Sequence, residues 1–299
     1  MIWPSLQFSA HCPMLDRQRA FHLARLFVRA VPDMPGKLRL ARFALRPFRK
    51  LQSVQMPDRS GNTLVCPSVN EPIAVAIFAN GVYEPDTVAA ILRRTPKDGV
   101  YLDVGANIGA IALPVARERP DVRIICIEAD PSMATILRRN VANNRLANVT
   151  VAECLAGPCS EEGVRFYTAP VEKFGMGSIG PQFDFPPQVL RQVALDELLD
   201  DMGISHVDVM KLDVEGSELG VLQGLKRRLT GFRPPTILFE FCDWAEARIA
   251  GQVPGAAQAL LHSLGYRTFY LARRGEIGSP VDQPLCAGSA MLLSQRLEA

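Results

Sequence analysis

The ten residues Val100 to Gly109, V-Y-L-D-V-G-A-N-I-G, narrow the possible folds more than any other stretch of the chain. Val100, Leu102 and Val104 are apolar β-formers, with Asp98-Gly99 ahead of them and a glycine-spaced turn behind, which predicts a short buried strand entering a tight loop. Asp103 is the last polar residue before the turn. Gly105 and Gly109 bracket Asn107, and residues without a Cβ allow a sharp turn and a close approach of ligand to backbone. From Ile108 to Arg117, Ile111, Ala112, Val115 and Ala116 recur at helical spacing, so the loop is expected to open onto a helix whose free amides face it. Strand, glycine loop and helix begin a nucleotide-type site, although the same unit occurs in doubly wound sheets that hold no ligand.

The loop also limits the nucleotide. A dinucleotide fingerprint has three glycines, the middle one making room for pyrophosphate, and here Asn107 stands in the middle place, which disfavours a nicotinamide dehydrogenase. Val122 to Ile127 is a second apolar run ending at Glu128, and Asp130-Pro131 opens the helix that runs to Asn144. A carboxylate about 20 residues past the loop, at the end of the second strand, is placed to accept from both hydroxyls of a ribose. Adenosine joined to an amino acid rather than to a diphosphate describes S-adenosylmethionine. In that reading Gly105, Ala106, Asn107 and Gly109 enclose the methionine end, Asp103 binds its ammonium, and Glu128, followed by Ala129, holds the ribose.

A second stretch, Val207 to Leu225, carries the expected chemistry. Val207, Val209, Met210 and Leu212 predict a strand, and D-V-E-G-S-E follows at Asp213 to Glu218, leading to a helix with Leu219, Leu222, Leu225 and Leu229 inward. Asp213 and Glu215, with Lys211 two residues earlier, surround one strand exit, where Asp213 also borders the cofactor. A carboxylate facing a transferable methyl group can orient an acceptor hydroxyl or take its proton. Glu218 is expected to favour the helix N-terminus electrostatically. Thr236 to Phe239 predicts a strand ending at Glu240, a second candidate carboxylate. Glu84, ahead of Pro85 and a helix capped by Asp86, either reaches the cofactor loop or stays solvated. His11, His22, His206 and His262 read as structural.

Composition bounds the rest. A chain of 299 residues with 48% hydrophobic content can build a sizeable core, and a net charge of +2 with 21% charged residues predicts no nucleic-acid partner. Seven scattered cysteines without a C-x-x-C pair read as buried thiols of a reducing, cytoplasmic compartment rather than a zinc site. Residues 1 to 50 show neither a membrane-spanning run nor a signal-peptide pattern. From Arg17 to Lys50 they are arginine-rich, with Asp33 the only acid. Ala20 to Ala30 predicts a helix packed beside the sheet with its arginines in water, while a transit peptide or membrane-surface helix has the same look. Leu51 to Val54 and Thr63 to Cys66 flank a turn at Asp58 to Asn62, Val164 to Tyr167 predicts an accessory strand, and Phe174 to Gly180 is glycine-rich and expected to be mobile. Gly255 to Leu264 predicts a helix, with Tyr266 to Leu271 and Ala290 to Leu293 as a final hairpin.

Y-E-P at Tyr83 to Pro85, L-D-V-G-A-N-I-G at Leu102 to Gly109, I-E-A-D-P at Ile127 to Pro131 with Asn140 and Asn144 behind it, L-D-E-L at Leu195 to Leu198, and K-L-D-V-E-G-S-E at Lys211 to Glu218 together resemble the FkbM family of S-adenosylmethionine-dependent methyltransferases. The resemblance spans roughly residues 70 to 293, and departs from the usual E-P-x-P at Ala129. It implies an α/β, doubly wound, mostly parallel seven-stranded class I methyltransferase (Rossmann-like) sheet over residues 70–299, with an N-terminal helical and β extension at 1–69. It implies O-methylation of a hydroxyl on a small molecule such as a sugar or polyketide. Two other classes stay open: a Mg²⁺-assisted enzyme with Asp213, Glu215 and Glu240 as oxygen ligands, and a non-catalytic adenosine-binding scaffold.

Overall fold

Apolar runs punctuated by Gly, Pro, Asn and Asp become thirteen strands in three sheets over residues 13–296, which the computed structural model describes. His11 and Cys12 lie outside that range. The extension begins with the helices Pro13–Ala30 and Lys37–Leu45, followed by the antiparallel pair β1 (Gln52–Pro57) and β2 (Thr63–Ser68). Their turn is closed by Asp58, whose two oxygens accept from the Asn62 backbone N at 2.7 Å and Nδ2 at 2.9 Å. Helices Pro72–Asn80 and Pro85–Arg94 then lead into β3 (Val100–Val104). The second helix starts two residues earlier than the expected Asp86 cap allows: Glu84 holds the cap position, Pro85 supplies the preset φ of the first turn, and Asp86 instead accepts from Arg274 N at 2.6 Å.

Strands β4 (Arg123–Glu128) and β5 (Val149–Glu153) continue the large sheet. A small sheet of β6 (Leu155–Gly157), β7 (Glu161–Phe166) and β8 (Gln188–Ala194) interrupts the sequence. The chain returns to the large sheet with β9 (Val209–Leu212), β10 (Thr236–Cys242), β11 (Tyr266–Leu271), β12 (Ile277–Val281) and β13 (Ser289–Arg296). Its order is β12-β11-β13-β10-β9-β3-β4-β5, parallel from β10 through β5 and antiparallel where β13 slots between β10 and β11. This is the expected doubly wound, mostly parallel α/β sheet with an eighth strand, β12, added at one edge. The expected final hairpin is therefore two paired strands with β12 inserted between them in sequence.

Both faces of the sheet are covered, which is why its central strands read as nearly continuous apolar runs. Tyr101, Ile124, Cys126 and Val209 point to one core with Leu113 and Leu137, while Leu102, Val104, Ile125, Ile127 and Met210 point to the other with Leu195, Leu222 and Leu225. The helix after the glycine loop spans Ala112–Glu118 rather than starting near Ile108, because Gly105, Asn107 and Gly109 all take positive φ and hold the chain out of helical geometry. The helix expected after Glu218 is broken into Glu218–Gly224 and Lys226–Thr230, with Leu222, Leu225 and Leu229 fully buried.

The extension belongs to the first core: Phe21, Val28, Ala41 and Leu45 pack with Leu64, Ile77 and Phe78, and the Phe21 ring meets Phe48 edge-on at 5.3 Å. Its arginines do not all sit in water as expected. Arg25 is buried, and Arg29 donates to the carbonyls of Pro57 (2.5 Å), Ile77 (2.8 Å) and Phe78 (3.3 Å). The asparagines noted in the sequence close the joint from the other side. Asn140 Oδ1 accepts from Val65 N and Asn144 Oδ1 from Thr63 N, both at 2.8 Å, while the Nδ2 atoms donate back to the same residues' carbonyls. Of the cysteines, Cys66, Cys126 and Cys242 are buried as expected, whereas Cys159 and Cys286 are exposed. Among the described residues no helix is long and apolar enough to cross a membrane.

Candidate active site

From β3 the chain winds outward through β4 to β5, then returns to build β9 and β10 on the other side. The crevice at such a reversal, beyond the carboxyl ends of the strands, is where ligands of doubly wound sheets sit. Here it opens into a cavity of about 460 Å³, within the range of small-molecule sites. Asp103, Gly105, Ala106, Asn107, Glu128, Ala129, Lys211, Asp213, Glu215 and Glu240 all line it. Glu84 and Gly109 do not. A Cβ on Gly109 would fall 2.2 Å from Leu113 Cδ1 and 2.8 Å from Leu137 Cδ1, so that glycine serves helix packing behind the loop. Glu84 accepts from Thr87 Oγ1 at 2.9 Å, although its charge is felt at Lys211.

The ends of β3 and β9 converge on Lys211. Its buried ammonium lies 3.0 Å from Asp213 Oδ2 and 3.7 Å from Asp103 Oδ1, and donates weakly to Gly105 O at 3.4 Å. Burial opposes its charge, but Asp213, Asp103 and Glu84 together raise its pKa well above the ordinary lysine value. Asp103 is 1% exposed and neither of its oxygens has a hydrogen-bond partner in the protein. Burial raises its pKa, opposed by the Lys211 charge and the neighbouring Tyr101 hydroxyl, and both oxygens keep lone pairs for a donor entering the cavity. Gly105 lets β3 and β9 come together: a Cβ there would stand 1.8 Å from Asp213 O.

Glu128 builds the opposite wall. Its Oε2 accepts from Asn107 N at 2.7 Å and its Oε1 from Asp130 N at 2.8 Å, which fixes the glycine loop and the following helix start and leaves each oxygen a further lone pair. Burial raises it to about 7. Asp130 caps the helix as the sequence predicts, accepting from Ser132 N at 2.8 Å. Ala129 takes the place of a proline without displacing Glu128 from the cavity. Burial also raises Glu215 to about 8 and Glu240 to about 7, reinforced in both by the neighbouring Asp213 charge. Glu240 stands inside β10, which continues to Cys242, rather than at its end. Among the described residues no group of three or more His, Cys, Asp or Glu side chains is placed to hold a metal ion.

Other lining residues were given no site role by the sequence. Glu71 caps the Pro72–Asn80 helix through Ile73 N at 2.5 Å and is raised to about 7 by burial; the Glu-Pro pair signals a helix start but not a site. Tyr83 and Trp244 reach the cavity from positions more than 150 residues apart. Phe174 to Gly177 form a strap across it, tied by Asn107 Nδ2 to Phe174 O (3.2 Å), by the Tyr167–Ser178 bridge and by Ser178 Oγ to Glu215 O (2.9 Å). Gly177 passes under the Phe166 ring, where a Cβ would come within 2.6 Å.

The sequence model of the methyltransferase FkbM domain matches residues 103–268. Methyltransferase sdnD of Sordaria araneosa is 30% identical over 165 residues, 45% of this chain and 63% of that protein. The 2-O-methyltransferase NoeI of Sinorhizobium fredii is 26% identical over 204 residues, covering 59% and 78%. Hexuronic acid methyltransferase AglP of Haloferax volcanii is 27% identical over 147 residues, covering 49% and 58%. This chain thus spans less than two thirds of the length of sdnD and AglP. Because the domain match runs over more than half of the chain, from Asp103 through the Lys211–Glu218 strand exit, the chain belongs to the FkbM methyltransferase family.

Proposed function

We propose that the cavity binds S-adenosylmethionine beside a hydroxylated small molecule, a sugar, polyketide or similar metabolite, and directs O-methylation of its hydroxyl. The observation that carries this reading is Asp103: a buried carboxylate lining the cavity at the end of β3, held by Lys211 only through a long 3.7 Å contact, suits an ammonium donor. Glu128 has lone pairs left for ribose hydroxyls, and Gly105 and Ala106 present bare backbone to an amino-acid tail. The names of NoeI and AglP, a 2-O-methyltransferase and a hexuronic acid methyltransferase, support a sugar hydroxyl as acceptor.

When bound, S-adenosylmethionine supplies a methyl group already activated on a sulfonium. The protein supplies alignment. Lys211 fixes Asp213 by their 3.0 Å contact, so that this carboxylate orients the acceptor O–H or accepts its proton, with Glu215 and Glu240 lining the same side. The strap and Trp244 add apolar surface to the cavity wall.

The test is calorimetry with S-adenosylhomocysteine combined with methyl transfer to a panel of hydroxylated metabolites. Glu128→Ala should weaken binding by roughly tenfold or more, since it removes the carboxyl oxygens that would accept from the ribose hydroxyls. Asp213→Ala should leave binding largely intact and slow transfer by on the order of 10²-fold. Transfer is expected to survive EDTA. The reverse ordering of the two variants would overturn these roles.

A further inference from the structure

The near-neutral total charge conceals a strong asymmetry. Ten of the chain's 33 Lys and Arg lie between Arg17 and Lys50 against one of its 31 Asp and Glu, leaving 23 basic and 30 acidic residues elsewhere. Three of the ten are used internally: Arg25 and Lys37 are buried and Arg29 binds three carbonyls. The others, including Arg19, Arg39, Arg42, Arg46, Arg49 and Lys50, are exposed.

The same two helices expose large apolar side chains. With Phe21, Val28, Ala41 and Leu45 turned to the core, Leu23 (65% exposed), Leu26 (49%) and Phe27 (65%) form a stripe at helical spacing on the outer face, and the second helix adds two exposed apolar side chains, Leu38 (46%) and Phe43 (64%). A face kept only for water, or for a phosphate backbone alone, has no use for these residues. Leucine and phenylalanine interleaved with arginine match the boundary between anionic headgroups and acyl chains. The Arg46 guanidinium, 5.3 Å over the Phe43 ring, shows the two chemistries side by side.

We propose that the outer face of helices Pro13–Ala30 and Lys37–Leu45 docks on an anionic lipid surface. Arg42 gives this a functional direction. It sits on the docking helix and also lines the cavity near Glu71, so docking brings the cavity mouth to headgroup level. The surface attraction stands apart from the methyl-transfer reading, since it needs neither cofactor nor turnover.

The full chain should co-sediment with mixed phosphatidylglycerol and phosphatidylcholine vesicles, bind pure phosphatidylcholine far less, and lose affinity as salt is raised. The double variants Leu26→Glu/Phe27→Glu and Arg39→Glu/Arg46→Glu should each reduce binding by roughly tenfold or more, with S-adenosylhomocysteine affinity and thermal midpoint unchanged. Deletion of residues 2–12 should leave binding in place. Failure of the wild-type chain to bind anionic vesicles, equal binding to both vesicle types, full binding by both double variants, loss of binding on the deletion, or displacement from vesicles by stoichiometric duplex RNA would each overturn the proposal.

Discussion

Glu218 occupies a position where one oxygen is well used and the other is not. Its Oε1 accepts from Val214 N at 3.1 Å and Gly216 N at 3.3 Å, holding the loop that carries Asp213 and Glu215, while Oε2 is buried without a partner. Burial raises its pKa from 4.5 to about 8. Because the folded value lies above the unfolded one, the folded state binds the extra proton between them, and this residue's contribution to stability falls as pH rises through that window. Glu218→Gln keeps one carbonyl acceptor and removes the buried charge. It should raise stability above pH 8 by at most about 5 kcal/mol and change it little near pH 4.5, as measured by urea unfolding at both ends of the window. The sequence announced a carboxylate before a helix and therefore suggested a dipole effect. Its actual duty, bonding amides of the preceding loop, depends on the positive φ of Glu215 and Gly216, which residue type alone only hints at.

At the level of elements, the strands and helices around the crevice were readable because each has two matching signals, a period and a terminator. β3, β4 and β9 are apolar runs ended by Gly105, Asp130-Pro131 and Asp213. The helix start at Ala112 was misplaced because the apolar period runs through Ile108 and Ile111 while the backbone there is set by glycines. Gly105→Ala tests that setting. It forces a side chain into a left-handed residue with φ 78° and against the Asp213 carbonyl, so it should cost about 2–5 kcal/mol by denaturant unfolding and abolish S-adenosylhomocysteine binding. The strap was legible only as a glycine-rich stretch. Its ties to Asn107 and Glu215 join residues 67 and 37 positions apart, and no local pattern encodes such pairings.

For the molecule as a whole, the extension and the sheet share one core, and Arg29 is their central polar joint. Its guanidinium satisfies carbonyls at the end of the Pro72–Asn80 helix and of β1. Arg29→Met fills similar space but leaves those carbonyls unpartnered, and should lower stability by about 3 kcal/mol. It should move the urea midpoint without changing the slope, so that extension and sheet still unfold in one transition. Basic composition alone predicted solvated arginines here; the reversal follows from Phe21 and Val28, which draw the inner helical face, Arg25 and Arg29 included, against Phe78.

The crowd of carboxyls at the strand ends has one more consequence. Burial pushes Glu128 and Glu240 up to about 7 and Glu215 up to about 8, which favours their protonated forms near neutrality relative to dilute carboxylic acids. A guest bearing fixed positive charges lowers those values on arrival and expels hydrogen ions into the solvent. Uptake of a cation is thereby favoured by alkalinity, and the heat it evolves takes in the ionisation of whichever buffer collects what is expelled.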